Sequence, residues 1–237
     1  MSDITRTVDR FIADKRTPPG GRHDIERLPP GTLPFVTLSS QSGAGGHVLA
    51  EALTELLEVE GAAHEELRDW RVFDKSMCRH ILENERLAES VQELLDEEYH
   101  SQIEEFVSGI FGRRGSHNVA YVRLSRLIRT VASVGKVIIL GHGGCLATRE
   151  LAGGLHARLV APLEIRAERM APRLELDVAA TSRAIRQRDE EQRKLLKTHY
   201  RVDGTDPELY DLVCNTERLL PRTAAELIVA VLRKRVA

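Results

Sequence analysis

Short apolar segments alternate with longer helical stretches from Leu33 onward, and this alternation constrains the fold more than any other feature of the chain. The segments are rich in β-branched residues and are too short to form helices, so we interpret them as strands. They are LPFVTL (33–38), WRVF (70–73), KVIILG (136–141), HARLVAP (156–162) and YDLVCN (210–215). Strands separated by helices predict an α/β fold, with a parallel sheet covered by helices on both faces. In such sheets ligands bind beyond the carboxyl ends of the strands.

Three of the intervening stretches carry apolar residues at helical spacing, which predicts that one side of each helix is buried. The first set is Leu49, Ala52, Leu53 and Leu56, the second is Ala120, Leu124, Leu127, Ile128 and Val131, and the third is Leu227, Ile228, Val231 and Leu232.

A glycine-rich turn, SGAGGH, joins the first predicted strand to the first predicted helix. Small residues let successive N–H groups point inward, and the helix start adds partial positive charge, so the turn is suited to phosphate groups. The residues that would form this cradle are Ser42, Gly43, Ala44, Gly45, Gly46, His47 and Val48. The common pattern GxxxxGK[ST] is not met, because Ser40, Gly46 and His47 replace its first glycine, its lysine and its hydroxyl residue. A plain strand-to-helix turn is the alternative.

Composition narrows the classes of protein that this chain can belong to. The 237 residues suffice for one large domain, and a net charge of −2 gives no general basic field for nucleic acid. The three cysteines are far apart in the sequence, which favours a reducing, cytoplasmic setting. No apolar run approaches the roughly 18–20 residues that cross a membrane. The charged N-terminus does not fit a signal peptide, and no two histidines are spaced as a local metal-ligand pair.

The first 31 residues differ in composition from the rest of the chain. They include TPPGGRHDIERLPPG, whose proline and glycine content is typical of a linker. We expect residues 1–31 to be a flexible leader, either a mobile tail or a partner-binding arm, and residues 32–237 to form the main domain.

Six segments occur in an order that is similar to that of a known family: SSQSGAGGHVLA, VFDKSMCRHI, KVIILGHGGCLA, RLVAPLEIRAERM, RDEEQRKLLKTHY and DPELYDLVCNT. Together they resemble the cytidylate kinase-like family of P-loop nucleoside monophosphate kinases, from about residue 34 to residue 236. The resemblance implies a three-layer α/β/α P-loop NTPase fold, with a helical acceptor-binding insert at about 74–117 and a lid at about 172–206. It also implies transfer of a phosphoryl group from ATP, with Mg²⁺, to a nucleoside monophosphate, and cytidylate is the acceptor that the family suggests.

The chain departs from the family's loop, which is often written S-R-Q-x-G-S-G-G-R, at two arginine positions. Ser40 and His47 occupy those positions, and His142 replaces the arginine of a later G-R-G. His47 can restore part of the charge if bound phosphates hold it protonated; otherwise it is an ordinary exposed residue. Transfer depends on cations at the transferring oxygens more than binding does. Two functions therefore stay open, an active kinase and a nucleotide-binding sensor or scaffold without transfer.

The resemblance places the acceptor monophosphate after the second strand, at FDK. Asp74 would then orient a ribose or base group, Lys75 would meet the phosphate, and Arg79 shares a helix face with Lys75. The alternative is that Asp74 caps a helix and Lys75 is solvated. His142, just beyond the third strand, is either a second phosphate contact or a histidine bonded to the neighbouring backbone.

Arginines in the fourth and fifth helical stretches are candidates for closing over the triphosphate. Arg166, Arg169 and Arg173 share one face, although Pro172 is expected to interrupt the helix there. The relatives' D-K-x-R pattern is matched best by EEQR, and sliding by one residue makes Asp189 the acid. With His47, the catalytic candidates are Arg169 and Arg193, and a solvated charged helix is the alternative.

No acidic residue is identified as a magnesium ligand, so we expect the nucleotide to bring the metal, with Ser39 or Ser42 as weak helpers. The acidic segment LLDEEYHSQIEEF (94–106) is predicted to be a surface helix or a homodimer face. The expected partner is a nucleoside monophosphate substrate, with no nucleic acid and no membrane.

Overall fold

The computed structural model describes residues 28, 32–84, 116–141 and 143–236 of the chain. Five strands lie in this part of the chain, and each coincides with one of the five predicted segments. They are β1 (Phe35–Ser40), β2 (Arg71–Phe73), β3 (Val137–Leu140), β4 (Gly154–Val160) and β5 (Leu212–Asn215).

Seven α-helices lie in the same ranges, together with short 3-10 turns at Glu65–Leu67 and Pro207–Leu209. The helices are α1 (Gly46–Glu60), α2 (Lys75–Glu83), α3 (Ser116–Val134), α4 (Gly144–Thr148), α5 (Leu163–Leu174), α6 (Val178–Tyr200) and α7 (Pro221–Val236).

The five strands form one parallel sheet in the order β2-β3-β1-β4-β5. The central strand, β1, lies between β3 and β4, with Val36 opposite Ile138 and Ser39 opposite Arg158. The chain runs from β1 to β2 past the position that β3 later fills, so the direction of winding changes beside β1. This change of direction opens a crevice at the carboxyl end of β1, where the glycine-rich turn begins.

Alternate residues of the strands enter two separate hydrophobic cores, one on each face of the sheet. Val36 and Leu38 pack with α1 and α7 on one face. Phe35 and Ile139 pack with α2, α3, α4 and the end of α6 on the other. The predicted three-layer α/β/α arrangement is therefore confirmed, because both faces of the sheet are covered by helices.

Helical spacing predicted most, but not all, of the buried side chains. Leu49, Ala52 and Leu53 of α1 are buried as expected. In α7 the prediction for Leu227 is wrong: this side chain is 46% exposed, while Val229 is buried. The apolar stripe of α7 is therefore rotated toward Ala225, Val229 and Leu232, which pack against α1.

The expectation that Pro172 interrupts a helix is also wrong, because α5 continues through it to Leu174. Proline removes one backbone hydrogen bond, but only two residues follow it here, so little helix is lost. The chain then turns at Glu175, whose φ is 55°, and α6 begins after Asp177, whose side chain accepts a hydrogen bond from the N–H of Ala180. Helices α5 and α6 form a packed hairpin.

Several expectations concern residues outside the described ranges: the leader through residue 31 apart from residue 28, most of the acceptor insert, the acidic segment 94–106, and His142. They stay predictions, as do the boundaries of insert and lid. None of the helices in the ranges given above is long and apolar enough to cross a membrane.

Candidate functional site

The turn between β1 and α1 depends on two glycines with left-handed backbone conformations. Gly43 has a φ of 83°, and Gly45, which precedes the first residue of α1, has a φ of 90°. Other residue types rarely adopt such angles, so the glycines are required by the path of the chain. The path brings the first turn of α1 directly against the carboxyl end of β1.

Five N–H groups of this turn are available to a ligand. Within the described ranges, no hydrogen bond is donated by the N–H groups of Gly43, Gly45, Gly46, His47 and Val48. The N–H of Leu49, by contrast, bonds to the Gly45 carbonyl and so starts the regular helix. A row of unpaired amides at a helix start is suited to an anion such as a phosphate group. The first N–H groups of any helix lack intrahelical partners, so the unpaired N–H of Gly43, ahead of the helix, is the feature that favours the cradle over a plain turn.

The start of α5 supports the outer side of the cradle. A Cβ on Gly43 would lie 2.8 Å from the backbone oxygen of Arg166, so loop and helix are in direct contact. The buried guanidinium of Arg166 donates to the Ser42 carbonyl at 2.9 Å and forms an ion pair with Asp189 of α6 at 2.7 Å. Asp189 also accepts the Ser42 N–H at 3.0 Å. Both polar backbone groups of Ser42 are thus held by side chains from the α5–α6 hairpin.

A second support reaches the loop from the end of β5. The fully buried hydroxyl of Thr216 donates to the Ala44 carbonyl at 2.9 Å. Arg169, one turn after Arg166 in α5, donates to this hydroxyl at 3.1 Å and to the Thr216 carbonyl at 2.7 Å. The Arg169 guanidinium is therefore engaged with Thr216, two hydrogen bonds from the cradle.

The place of the usual lysine is occupied in part by Ser40. A Cβ at Gly46 would lie 2.9 Å from the Ser40 Cβ and 3.1 Å from Leu140 Cδ1. The two departures from the common pattern, serine for glycine at 40 and glycine for lysine at 46, are therefore adjacent in space. His47 and Val48 are exposed in the first turn of α1.

Three of the four residues predicted to bind the acceptor, Asp74, Lys75 and Arg79, follow the carboxyl end of β2, on the same edge of the sheet as the cradle. Asp74 caps α2, since its side chain accepts the N–H of Met77 at 2.9 Å, so the capping alternative is confirmed. Capping leaves the second carboxylate oxygen open to another contact. Lys75 and Arg79 are exposed on the first turns of α2.

Arg193 of α6 forms an exposed ion pair with Asp203, in which Nη2 and Oδ2 are 2.6 Å apart. The hydrogen bond from Arg193 is the main reason why the pKa of the Asp203 carboxyl lies well below its usual range, and Thr205 adds to the effect. The pair joins the last part of α6 to the turn that follows it. In this arrangement Arg193 does not contact the cradle.

A separate polar group is buried between β1, β4 and the start of β5. The ring atom Nδ1 of His156 lies 2.8 Å from the Thr37 hydroxyl. The backbone N–H of His156 donates to the Asp211 carboxylate at 2.7 Å. Burial lowers the pKa of His156 to about 4; Asp211 opposes this shift, while Arg235 and Arg149 add to it. The ring is therefore neutral at physiological pH.

Sequence reasoning missed three residues that shape the cradle: Arg166 as a buried support, Asp189 as its partner, and Thr216. The arginine spacing of α5 was visible, but spacing alone does not show which side chains turn toward the loop. Thr216 had one local signal, its position directly after the last strand, at the edge where the ligand crevice lies.

The sheet order, the crevice beside β1 and the amide-lined loop before α1 define a P-loop protein with a three-layer α/β/α fold. The model of the cytidylate kinase-like family matches residues 35–218. The chain belongs to the cytidylate kinase-like family.

Two relatives carry the name cytidylate kinase. The chain is 40% identical over 108 residues to the protein of Methanopyrus kandleri, a match that covers 41% of this chain and 54% of the relative. It is 31% identical over 109 residues to the protein of Sulfolobus acidocaldarius, covering 46% and 59%. The chain thus spans little more than half the length of these relatives.

A solved structure supports the fold. The crystal structure of an uncharacterized protein from Eubacterium ventriosum superposes with a TM-score of 0.65 at 13% sequence identity, covering 86% of this chain and all of that one. At this identity the likeness concerns the fold alone.

Proposed function

We propose that this protein is a transferase that moves a phosphoryl group from ATP to a nucleoside monophosphate, with a cytidylate-like acceptor. Membership of the family and the two named relatives support a kinase-type reaction on a nucleotide. The single observation that carries the proposal is the set of five unpaired amides, Gly43 in the loop and Gly45 to Val48 at the start of α1.

The cradle binds the phosphates of ATP through backbone groups. Amides and a helix start can hold a triphosphate without a lysine, and we expect binding in the micromolar range, about 8 kcal/mol. The acceptor lies next to it, where Asp74, Lys75, Arg79 and His142 contact the monophosphate nucleotide. The exposed cations Lys75 and Arg79 favour a charged ligand at this edge.

Three cationic side chains are proposed to act on the transferring group: His47, Arg169 and Arg193. Mg²⁺ enters with the nucleotide and neutralises charge on the phosphate oxygens. Among the described residues, no group of three or more His, Cys, Asp or Glu side chains is placed to hold a metal ion.

A second candidate, nucleotide binding without transfer, is favoured by the same loop. Residues 40 and 46 carry no charge, and Arg169 is bonded to Thr216. Losing one pre-organised donor to the transferring group commonly costs about 10²–10³ in rate. A protein of this kind would sense nucleotides or act as a scaffold.

An assay of ATP consumption with Mg²⁺ and CMP, dCMP, UMP or AMP separates the two candidates and ranks the acceptors. We expect turnover with CMP or dCMP that rises in His47→Arg, alone or combined with Ser40→Arg. If the wild type and both variants bind ATP but show only background turnover, the kinase is excluded and nucleotide binding without transfer is the remaining function.

A matched pair of charge variants tests the cradle. Val48 is 55% exposed in the first turn of α1, and Val59 is 71% exposed in the last turn. A carboxylate at Val48 suits the helix dipole but repels phosphates, so Val48→Glu should bind ATP about tenfold more weakly without loss of stability. Val59→Glu serves as the control and should bind ATP normally. Equal ATP affinity of both variants in calorimetry would exclude this site.

The described cysteines, Cys78, Cys145 and Cys214, are buried and unpaired, which fits a reducing compartment. A cytoplasmic location and a homodimer stay predictions.

A further inference from the structure

The supports on the outer side of the cradle fix the direction of two peptide groups. We propose that Arg166 and Thr216 are positioning residues that aim the N–H groups of Gly43 and Gly45 at the phosphates without touching them, and that Arg169 holds the Thr216 hydroxyl in place. The inference rests on the proposed nucleotide binding and assigns the supporting side chains a role in it.

The first peptide group joins Ser42 to Gly43. A peptide unit is planar, and in the trans form its C=O and N–H point in opposite directions. Arg166 holds the Ser42 carbonyl toward α5 at 2.9 Å. The Gly43 N–H of the same plane therefore points away from α5, and no described residue accepts it.

The second peptide group joins Ala44 to Gly45 and is controlled in the same way. Thr216 Oγ1 donates to the Ala44 carbonyl at 2.9 Å, so the Gly45 N–H points away from Thr216. Arg169 donates to Oγ1, so the Thr216 hydrogen turns toward the nearby carbonyls, of which Ala44 at 2.9 Å is closer than Val160 at 3.4 Å. Two arginines of one helix thus orient alternate amides of the loop.

The ion pair with Asp189 keeps Arg166 in this role. Asp189 Oδ2 lies 2.7 Å from Arg166 Nη1, and the Arg166 side chain is 7% exposed. The guanidinium is buried, and its Nε and Nη1 atoms bond to the Ala161 carbonyl, the Ser42 carbonyl and Asp189, so it is held in place. Its contribution reaches the ligand through the direction of the Gly43 amide.

The test uses glycine-selective ¹⁵N labelling of the full chain and inorganic pyrophosphate as the probe, followed by amide chemical shifts. In the wild-type protein, pyrophosphate should shift the Gly43 and Gly45 signals. In Thr216→Val, which keeps the shape and removes the hydroxyl, Gly45 should lose most of its shift while Gly43 keeps it, and pyrophosphate affinity should fall about tenfold. Thr216→Ser should restore the Gly45 shift and the pyrophosphate affinity.

Arg166→Lys should show the reverse pattern: the Gly43 signal should lose most of its pyrophosphate-induced shift, and the Gly45 signal should keep it. Since this change removes the guanidinium fork from a buried ion pair and can prevent folding, the two Thr216 variants decide the question by themselves. Thr148→Val is the control: the Thr148 hydroxyl is equally buried and donates to the Gly144 carbonyl at 2.8 Å, in α4. It should leave both glycine signals and the affinity unchanged.

The outcomes separate this inference from the proposed function. A wild-type protein that binds neither ATP nor pyrophosphate overturns the proposed function and the inference with it. Normal binding by the wild type with an unchanged Gly45 response in Thr216→Val overturns the inference alone. An equal loss in Thr148→Val also overturns it, because the effect would then be a general response to a lost core hydroxyl.

Discussion

Gly43 and Gly141 have nearly the same backbone angle but very different surroundings. Their φ values are 83° and 81°. A Cβ on Gly43 would meet the Arg166 carbonyl at 2.8 Å, whereas a Cβ on Gly141 would have no described heavy atom within 4 Å. Substitutions at these two glycines therefore separate two losses of stability, one from the left-handed backbone conformation and one from contact with α5.

We predict that Gly43→Ala lowers the free energy of unfolding more than Gly141→Ala does. Both variants should lose about 1 kcal/mol to the left-handed conformation. Gly43→Ala should lose about 1–3 kcal/mol more, because backbone must move to admit the methyl group. Urea unfolding measures both values, and equal losses would show that the loop is not pressed against α5.

Ser40 and Gly46 should behave as a coupled pair. Gly46→Lys alone should cost about 1–3 kcal/mol of stability, because the new Cβ lies 2.9 Å from the Ser40 Cβ. Adding Ser40→Gly should recover part of this loss, since the contact with Leu140 Cδ1 at 3.1 Å remains. The double variant should turn over faster than the wild type because the lysine supplies charge at the transferring group.

Gly46→Ala provides the uncharged comparison for this pair, since it makes the same contact with Ser40 without a cation. Stability is followed by urea unfolding and turnover by the ATP assay. Additive stability losses in the double-variant cycle would contradict the coupling.

At the scale of the elements, the strands and the loop were predictable because their signals are local. Five apolar runs and a cluster of glycines can be recognised within a few residues each. The supports of the cradle were not predictable in this way: Ser42 is 124 residues from Arg166, and Ala44 is 172 residues from Thr216. The stripe of α7 was misplaced for a related reason, since packing against α1, and not spacing, selects Val229 over Leu227.

The hairpin of α5 and α6 contains the proposed catalytic residue Arg193. We predict that Arg193→Ala lowers turnover more than it weakens ATP binding, because an arginine that closes over the nucleotide acts mainly on charge that develops in the transition state. Steady-state kinetics and calorimetry measure the two effects.

Asp203→Asn is the comparison, because it breaks the exposed ion pair and leaves the arginine in place. It should retain wild-type turnover and change stability little, since both partners are exposed. The depressed pKa of Asp203 means that any stability from the pair is present above about pH 4 and is lost as the pH falls. If Arg193→Ala and Asp203→Asn lose turnover equally, the role of Arg193 is to hold the turn after α6 and not to act on the nucleotide.

For the whole molecule, the buried His156 predicts how stability depends on pH. Its folded pKa of about 4 is below the ordinary value of about 6.5, so the unfolded chain binds the proton first as the pH falls. The stabilising contribution is complete above about pH 6.5 and is lost between there and about pH 4. The loss should reach about 3 kcal/mol at the lower limit.

Urea unfolding of the wild type and His156→Gln between pH 7 and pH 4.5 checks this expectation. Glutamine can accept the Thr37 hydroxyl but does not titrate, so the variant should show a shallower fall. Carboxylates other than Asp211, which interacts with the ring, contribute to both proteins and cancel in the comparison. Identical pH profiles would mean that the ring is not buried in its neutral form.

The distance along the chain between the loop and its supports also bears on how the protein folds. The contacts of Ser42 with Arg166 and of Ala44 with Thr216 close loops of 124 and 172 residues. Closing such loops costs conformational entropy before the hydrogen bonds form, so we expect these contacts to form late in folding. During synthesis the loop emerges first; Arg166 emerges after four of the five strands, and Thr216 after all five. We therefore expect nascent or truncated chains that end before Thr216 not to bind nucleotide. Once the chain is complete, nucleotide would stabilise only the finished fold, in proportion to the logarithm of its concentration.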